Sequence, residues 1–378
     1  VLYTVDLVTL EAASAAVEAA ASTGADTIVV RTASLDRTQA LLTTNQLVDL
    51  ATTAHRRGLA VVVEVPVDRC GGPSWVGADG GRTACPLPPI RAWIDGVDGL
   101  LLSHPGASTP GGVPARLRAA GALAHAAWPS KRLLAEAPPG VLPWDILGDG
   151  DEPLLDGVTD PVGSQRMREA PYLADPAPLL GWLDTLQSQG ILHRTLTTFE
   201  WASSVSPGHP VDAFEARFSS PEIVSAALAL MLPGTPMLAP PPADGLPDPT
   251  LRAVLPWLAC VRRDLQGFAG APVPTSAPSV LAWYLDGAEG AAILVANLSE
   301  ADAADVRVDA AGGFRELRTD TGVDAGEGLR IPSLEGHGWR IYGWEVGGAC
   351  GPLEASSPGP GDGTPIPPGA PTGAAPLA

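Results

Sequence analysis

Short apolar runs alternate with helical segments eight times in roughly the first 240 residues, and nothing else in the chain limits its fold as strongly. The strand-like runs are Leu2 to Leu7, Thr27 to Arg31, Leu59 to Val65, Val97 to Leu102, Leu133 to Ala135, a weaker one at Leu154 to Asp156, Thr195 to Phe199 and Pro236 to Leu238. Helical patterns fall between them at Leu10 to Ser22, Asn45 to Arg57, Ile90 to Trp93, Pro114 to Trp128, Pro178 to Gln189 and Pro221 to Leu232, and a last helix spans Leu251 to Leu265. Strands that are apolar on both faces and separated by helices build a parallel sheet buried on both sides. Eight such units in this length predict an α/β fold of the closed (β/α)8 barrel type, a TIM barrel, rather than an open doubly wound sheet. No GxGxxG or GxxxxGKS loop follows any strand, which argues against a dinucleotide or P-loop site.

The pattern changes after the last helix. Val280 to Leu285, Ala291 to Asn297, Asp305 to Val308, Gly328 to Ile331 and Gly338 to Trp344 are short strands joined by turn residues, with no helix between them. The predicted organisation is therefore a barrel over residues 1–267, a small antiparallel β-sandwich over 268–345, and a tail over 346–378. The tail holds 8 Pro and 6 Gly between Gly351 and Ala378, too few apolar residues for a core, and is expected to be extended or disordered.

Composition narrows the partners. A net charge of -19, with 23 Lys and Arg against 42 Asp and Glu, disfavours nucleic acid and anionic membrane surfaces. Apolar residues still make up 45% of the chain, enough for a sizeable core despite 43 Gly and 40 Pro. Four cysteines lack CxxC spacing and six histidines are scattered, so no metal site and no cofactor is expected. Cys70 and Cys85 bracket a Gly- and Pro-rich loop that suits a local disulfide in an oxidising compartment. Cys260, on an apolar helix, reads as buried, and Arg262 and Arg263 as residues of that helix's solvated face. No uninterrupted apolar run is long enough to span a bilayer, so any membrane anchor is expected to lie upstream of Val1.

Local motifs sharpen the barrel. "GLAVVVEVPVDRCGG" from Gly58, "GVDGLLLSHPG" from Gly96, "RLLAEAPPG" from Arg132, "TLTTFEWASS" from Thr195 and "LALMLPGTPMLAPPPADGLP" from Leu228 resemble, in order, the motifs of strands three, four, five, seven and eight of the α-amylase family of glycoside hydrolases. The resemblance runs over about residues 1–345 and implies the same barrel followed by a β-sandwich. It also implies a nucleophilic carboxylate on strand four, a proton-donating carboxylic acid on strand five and a third carboxylate on strand seven.

Against that pattern the site reads as degenerate. Ser103 stands where the nucleophile belongs, with Leu101 in place of an orienting Arg, and Ser203 replaces the third carboxylate after Trp201 and Ala202. Glu64 replaces the leading strand-three aspartate, Asp68 and Arg69 replace an Asn-His pair, and Pro240, Pro241 and Pro242 occupy a Tyr-Gly-Asp-Glu segment. Glu136 alone keeps its place, as acid/base. An acid without its partner carboxylate does little, and the expectation is a chain that is not an enzyme. The joint of about 25 residues from Pro66 to Ile90 is too short for the inserted domain of amylases, which makes a calcium site doubtful.

An amylase-like barrel without that insertion resembles the ectodomain of the heavy subunits of heteromeric amino acid transporters, the group of the 4F2 cell-surface antigen heavy chain. That resemblance implies an extracellular, non-catalytic glycoprotein at the plasma membrane or secreted, whose partner is a multi-pass transporter light subunit. Asn297, in the sequon Asn297, Leu298, Ser299, is the expected glycosylation site. Two alternatives stay open: a diverged glycoside hydrolase or transglycosylase that uses Glu136, and a self-associating structural glycoprotein of a surface assembly or filament.

Overall fold

The structure, a computed structural model, describes residues 1–6, 13–31, 43–67, 90, 93–104, 112–147, 154–199, 219–239, 249–265, 269–288, 290–326, 328–344 and 350–353. Eight parallel strands close into a barrel: β1 (Leu2–Asp6), β2 (Thr27–Arg31), β3 (Ala60–Pro66), β4 (Gly99–Ser103), β5 (Arg132–Ala135), β6 (Gly157–Thr159), β7 (Thr195–Phe199) and β8 (Thr235–Leu238). The barrel shuts where β1 pairs with β8, Leu2 opposite Met237 and Tyr3 opposite Leu238. Around it lie α1 (Ala13–Ser22), α2 (Thr43–Arg56), α3 (Val113–Ala127), α4 (Pro143–Leu147), α5 (Pro161–Leu173), α6 (Ala177–Ser188), α7 (Pro221–Met231) and α8 (Pro249–Leu265).

Strand alternation divides the barrel wall into two sets. One set points outward under the helices, and the other fills the interior with Leu2, Val29, Val62, Leu101, Leu134, Leu196 and Met237 in mutual contact. The eighth interior place, on β6, belongs to Gly157. A side chain there would drive its Cβ to 2.7 Å from Leu196 and 3.1 Å from the Arg194 carbonyl, so only glycine fits between the neighbouring leucines.

Helix α7 is buried on every side from Ile223 to Met231 because it is wedged between β7, α5 and α8. Its start is set by Ser220, whose hydroxyl accepts from the Ile223 amide at 3.2 Å, by Pro221 at the first helical position, and by Glu222 in the first turn.

The second domain is a sandwich. Strands β9 (Ala269–Pro272), β10 (Val280–Gly287), β11 (Gly290–Asn297), β13 (Gly312–Glu316), β14 (Thr321–Ala325) and β16 (Trp339–Trp344) form one antiparallel sheet. The ladder of β12 (Ala303–Val308) and β15 (Leu329–Leu334) covers part of it. Both faces of the large sheet are buried. Leu281, Trp283, Leu285, Leu294 and Trp339 join the core that continues through α8 into the barrel, while Val280, Ala282, Ile293 and Val295 face the small ladder. The β10–β11 turn sits directly on the end of α8, where a Cβ on Gly287 would fall 1.9 Å from the Leu265 carbonyl oxygen.

The fold departs from the sequence reading in several places. The sixth strand is Gly157–Thr159, three residues beyond Leu154 to Asp156. Helix α5 was not expected at all; two prolines and a glycine dilute its pattern, but Asp160 caps it by accepting from the Gly163 amide at 2.9 Å. The helix read at Ile90 to Trp93 falls partly outside the described residues, at Arg91 and Ala92, and a 3-10 turn follows it at Ile94–Gly96. Strands β9, β13 and β14 were also missed.

Arg262 is not on a solvated face. Its guanidinium turns inward to donate to the carbonyls of Leu230, Leu232 and Gly234, the unpaired end of α7 and the turn that follows, while Arg263 is exposed. Burial pulls the Arg262 pKa down to about 10, so it stays a cation at neutral pH.

Residues 350–353, counted with the tail, are packed. Cys350 is disulfide-bonded to Cys260, the Trp257 indole donates to the Gly351 carbonyl at 2.9 Å, and Leu353 is fully buried. Residues 354–378 lie outside the described residues. No described helix is long and apolar enough to cross a membrane.

Candidate active site

In a (β/α)8 barrel, chemistry gathers at the carboxyl ends of the strands. Two residues beyond the apolar interior set, the alternation of the strands turns Thr4, Arg31, Glu64, Ser103, Glu136, Thr159 and Thr198 toward the barrel mouth. A polar tier therefore lies over an apolar one, and its centre is charged.

Arg31, the last residue of β2, holds two glutamates at once. Its Nη2 lies 3.0 Å from both carboxylate oxygens of Glu136, and its Nε lies 3.3 Å from Glu64 Oε2. Glu64 is fully buried, whereas Glu136 is about 31% exposed and so is the one a ligand can reach. Glu136 is fixed along the chain as well, because its amide donates to the Leu102 carbonyl at 2.8 Å.

Burial raises the Glu136 pKa above the ordinary carboxylate value, and the Glu64 charge adds to that. Arg31 opposes both without cancelling them. Burial would lower the Arg31 pKa, but the two carboxylates outweigh it and raise it. The result is a partly exposed carboxyl whose pKa lies above the ordinary carboxylate value, ion-paired to a cation; shifts of this kind gather at functional sites and also in structural ion-pair networks.

Ser103 ends β4 on the neighbouring strand, buried, with no hydrogen-bond partner for its hydroxyl among the described residues. Its companion His104 is buried too, with Nε2 at 3.4 Å from Arg116 Nη1. Ser203, Trp201, Asp68 and the Pro240 to Pro242 segment lie outside the described residues, as do Cys70 and Cys85. The sequence reading located Glu136 and Ser103 but missed Arg31, and it took Glu64 as a mere replacement. The signal was present: each follows an interior apolar residue by two, Arg31 after Val29 and Glu64 after Val62.

Asn297 is corrected as a glycosylation site. Its side chain is fully buried and its amide donates to the carbonyls of Ala301 at 2.8 Å, Glu335 at 3.0 Å and Leu334 at 3.3 Å, which leaves no room for a glycan. The sequon marks a structural amide that ties the end of β11 to the ends of β12 and β15.

A separate cleft of about 250 Å³ opens between α5 and α6, lined by Gln165, Arg166, Glu169 and Asp175. It lies on the outer helix layer. Arg166 there donates to the Pro178 carbonyl at 2.6 Å and stacks on Trp182, which makes the cleft a seam between helices rather than a second centre.

No protein-family model matches the sequence, and no curated protein matches it. Solved structures do. An α-amylase from H. orenii aligns over 91% of this chain and 99% of its own, with a TM-score of 0.63 at 11% identity. A maltogenic α-amylase, AmyB, from Thermotoga neapolitana aligns over 91% and 98%, with a TM-score of 0.61 at 12% identity. A debranching enzyme from Nostoc punctiforme aligns over 91% and 98%, with a TM-score of 0.58 at 12% identity.

The expectation that this chain is not an enzyme is overturned here. These three solved structures, each aligned over nearly its whole length, carry enzyme names, and none is named as a transporter subunit. Arg31 brings Glu64 and Glu136 together from separate strands, an arrangement that a strand-by-strand reading of the motifs does not reveal. What the likeness establishes at 11% and 12% identity is the architecture, and this chain has the α-amylase fold, a closed (β/α)8 barrel followed by an antiparallel β-sandwich.

Proposed function

We propose that the chain is a diverged glycoside hydrolase of the α-glucan class in which Glu136 is the proton donor. The supporting observation is a single one: a reachable carboxyl at the barrel mouth whose pKa burial and Glu64 raise, held in orientation by Arg31. Glu136 gives its proton to the glycosidic oxygen as the bond to the anomeric carbon breaks. The leaving sugar departs as a neutral alcohol, water supplies the hydroxyl to the anomeric carbon, and the proton that water loses restores the acid. Glu64, buried and ion-paired to Arg31, fixes the guanidinium that in turn orients Glu136. Ser103 supplies a hydroxyl and not a carboxylate, so the reaction assigned here runs without an enzyme-bound sugar on β4. A positioned acid alone is worth about 10²–10⁴-fold, and turnover is expected to be slow beside that of a complete carboxylate pair.

The α-glucan class comes from the solved structures of like fold, whose names include amylases and a debranching enzyme. The ancillary-subunit reading drew on the short Pro66 to Ile90 joint as well as on the degenerate motifs; the carboxylate pair bound by Arg31 favours the enzyme reading over it. The test is the release of reducing ends from a soluble α-glucan by the full chain and by Glu136→Gln. A loss of at least about 100-fold in the variant supports the assignment, and equal rates overturn it.

A further inference from the structure

Far from the barrel mouth, three donor atoms converge at the seam between α8 and the segment after β16. Cys260 and Asp264 are four residues apart on α8 and so share one helix face. Cys350 reaches the same point from residue 350, ninety residues along the chain, and is disulfide-bonded to Cys260. Asp264 Oδ2 lies 3.5 Å from Cys350 Sγ, and all three donor atoms lie within 4.8 Å of one another.

A disulfide has no S–H with which to reward that carboxylate. Among the described residues Asp264 makes no ion pair, and its nearest side-chain contact is the Cys350 sulfur; the carboxylate is half-buried and open to water. A reduced pair changes the chemistry: two thiolates and a carboxylate are a donor set suited to zinc, with a fourth position left for water.

We propose that the reduced form of this cluster is a divalent-metal site, in which Cys260, Cys350 and Asp264 bind one Zn²⁺. The proposal is independent of the glycosidase assignment. A phosphine reductant and one water convert the disulfide into two thiols and a phosphine oxide; metal binding then displaces both thiol protons. Two thiolates on one tetrahedral zinc stand roughly 3.8 Å apart, given zinc–sulfur bonds of about 2.3 Å, a separation that side-chain rotation supplies. The metal would take over the task of the disulfide. The segment it fastens carries the Gly351 carbonyl bonded to Trp257 and the buried Leu353, so this seam stays closed under oxidising and reducing conditions alike. Reading the cysteines by sequence spacing excluded a metal because these ligands meet only in the fold.

The experiment uses the full chain with Cys70→Ser and Cys85→Ser, so that only the two seam thiols remain. After phosphine reduction and anaerobic desalting, Co²⁺ is titrated as the spectroscopic probe and Zn²⁺ is used to displace it. The expected result is one Co²⁺ per chain with thiolate-to-cobalt charge-transfer bands. The bands are lost in Cys350→Ser, and affinity falls at least about tenfold in Asp264→Asn. Formation of the Cys260–Cys350 bond by Asp264→Asn on reoxidation serves as its folding control. Absence of stoichiometric Co²⁺ binding in the reduced chain overturns the proposal, and so does an unchanged affinity in a correctly reoxidising Asp264→Asn.

Discussion

Arg31 Nη2 stands 3.0 Å from each carboxylate oxygen of Glu136, a contact that joins residues 105 positions apart across the barrel mouth. Because the same guanidinium also holds the buried Glu64, it balances two like charges that would otherwise repel. Replacing it by Met takes the cation from beside a fully buried carboxylate, and the expected loss of stability is about 3–5 kcal/mol by denaturant unfolding. The Glu136 pKa rises further, since Arg31 is what holds it down, so the alkaline limb of any pH–rate profile moves to higher pH. A limb that moves to lower pH contradicts this assignment of charges.

His337 gives the fold an acid-sensitive contact. It is buried in a left-handed turn with φ of 51°, and burial lowers its pKa against the raising effects of Glu300 and Glu222. A histidine whose pKa is lowered by folding binds fewer protons in the native state than in the unfolded one. Its share of stability is therefore present above 6.5, its ordinary value, and is lost as pH falls through that value toward the lowered one. His337→Asn, which tolerates the left-handed backbone, flattens stability over that window; unfolding free energies measured from pH 7 down to pH 5 check this.

Asn297 acts as a donor. In Asn297→Asp an acceptor faces the carbonyls of Ala301, Leu334 and Glu335, and the expected destabilisation is about 2–4 kcal/mol. The wild-type chain made in a glycosylating host carries no glycan at this residue, which peptide mass spectrometry reads directly.

Arg262 closes the end of α7 and the Leu232 to Thr235 turn that leads into β8. Arg262→Met keeps the stem and removes the donors from three carbonyls, an expected loss of about 2–4 kcal/mol in thermal or chemical unfolding. Its pKa of about 10 leaves this term constant between pH 5 and pH 8, which distinguishes it from the histidine effect.

Much of the barrel was legible because parallel strands buried on both faces are nearly continuous apolar runs, as in Val61 to Val63 and Leu100 to Leu102. β6 was misplaced because it has only three residues, one of them the glycine that spares room for Leu134 and Leu196. The sandwich lost three strands to turn-like composition, Gly312 and Gly313 in β13 being the plainest case. The site was half legible. Glu136 and Ser103 follow from motif position along single strands. The bond between Arg31 and two glutamates depends on barrel closure and strand register, which no linear motif encodes, and the Cys260–Cys350 pairing depends on how the sandwich docks on α8.

The most direct measurement is the leaving-group dependence of hydrolysis by Glu136→Gln. If Glu136 donates the proton, the variant loses about 10²–10⁴-fold on an unactivated α-glucan, whose leaving alcohol needs that proton. It loses far less on an aryl α-glucoside with an acidic phenol, which departs unassisted. Equal losses on both substrates, or no loss on the glucan, contradict the role of Glu136.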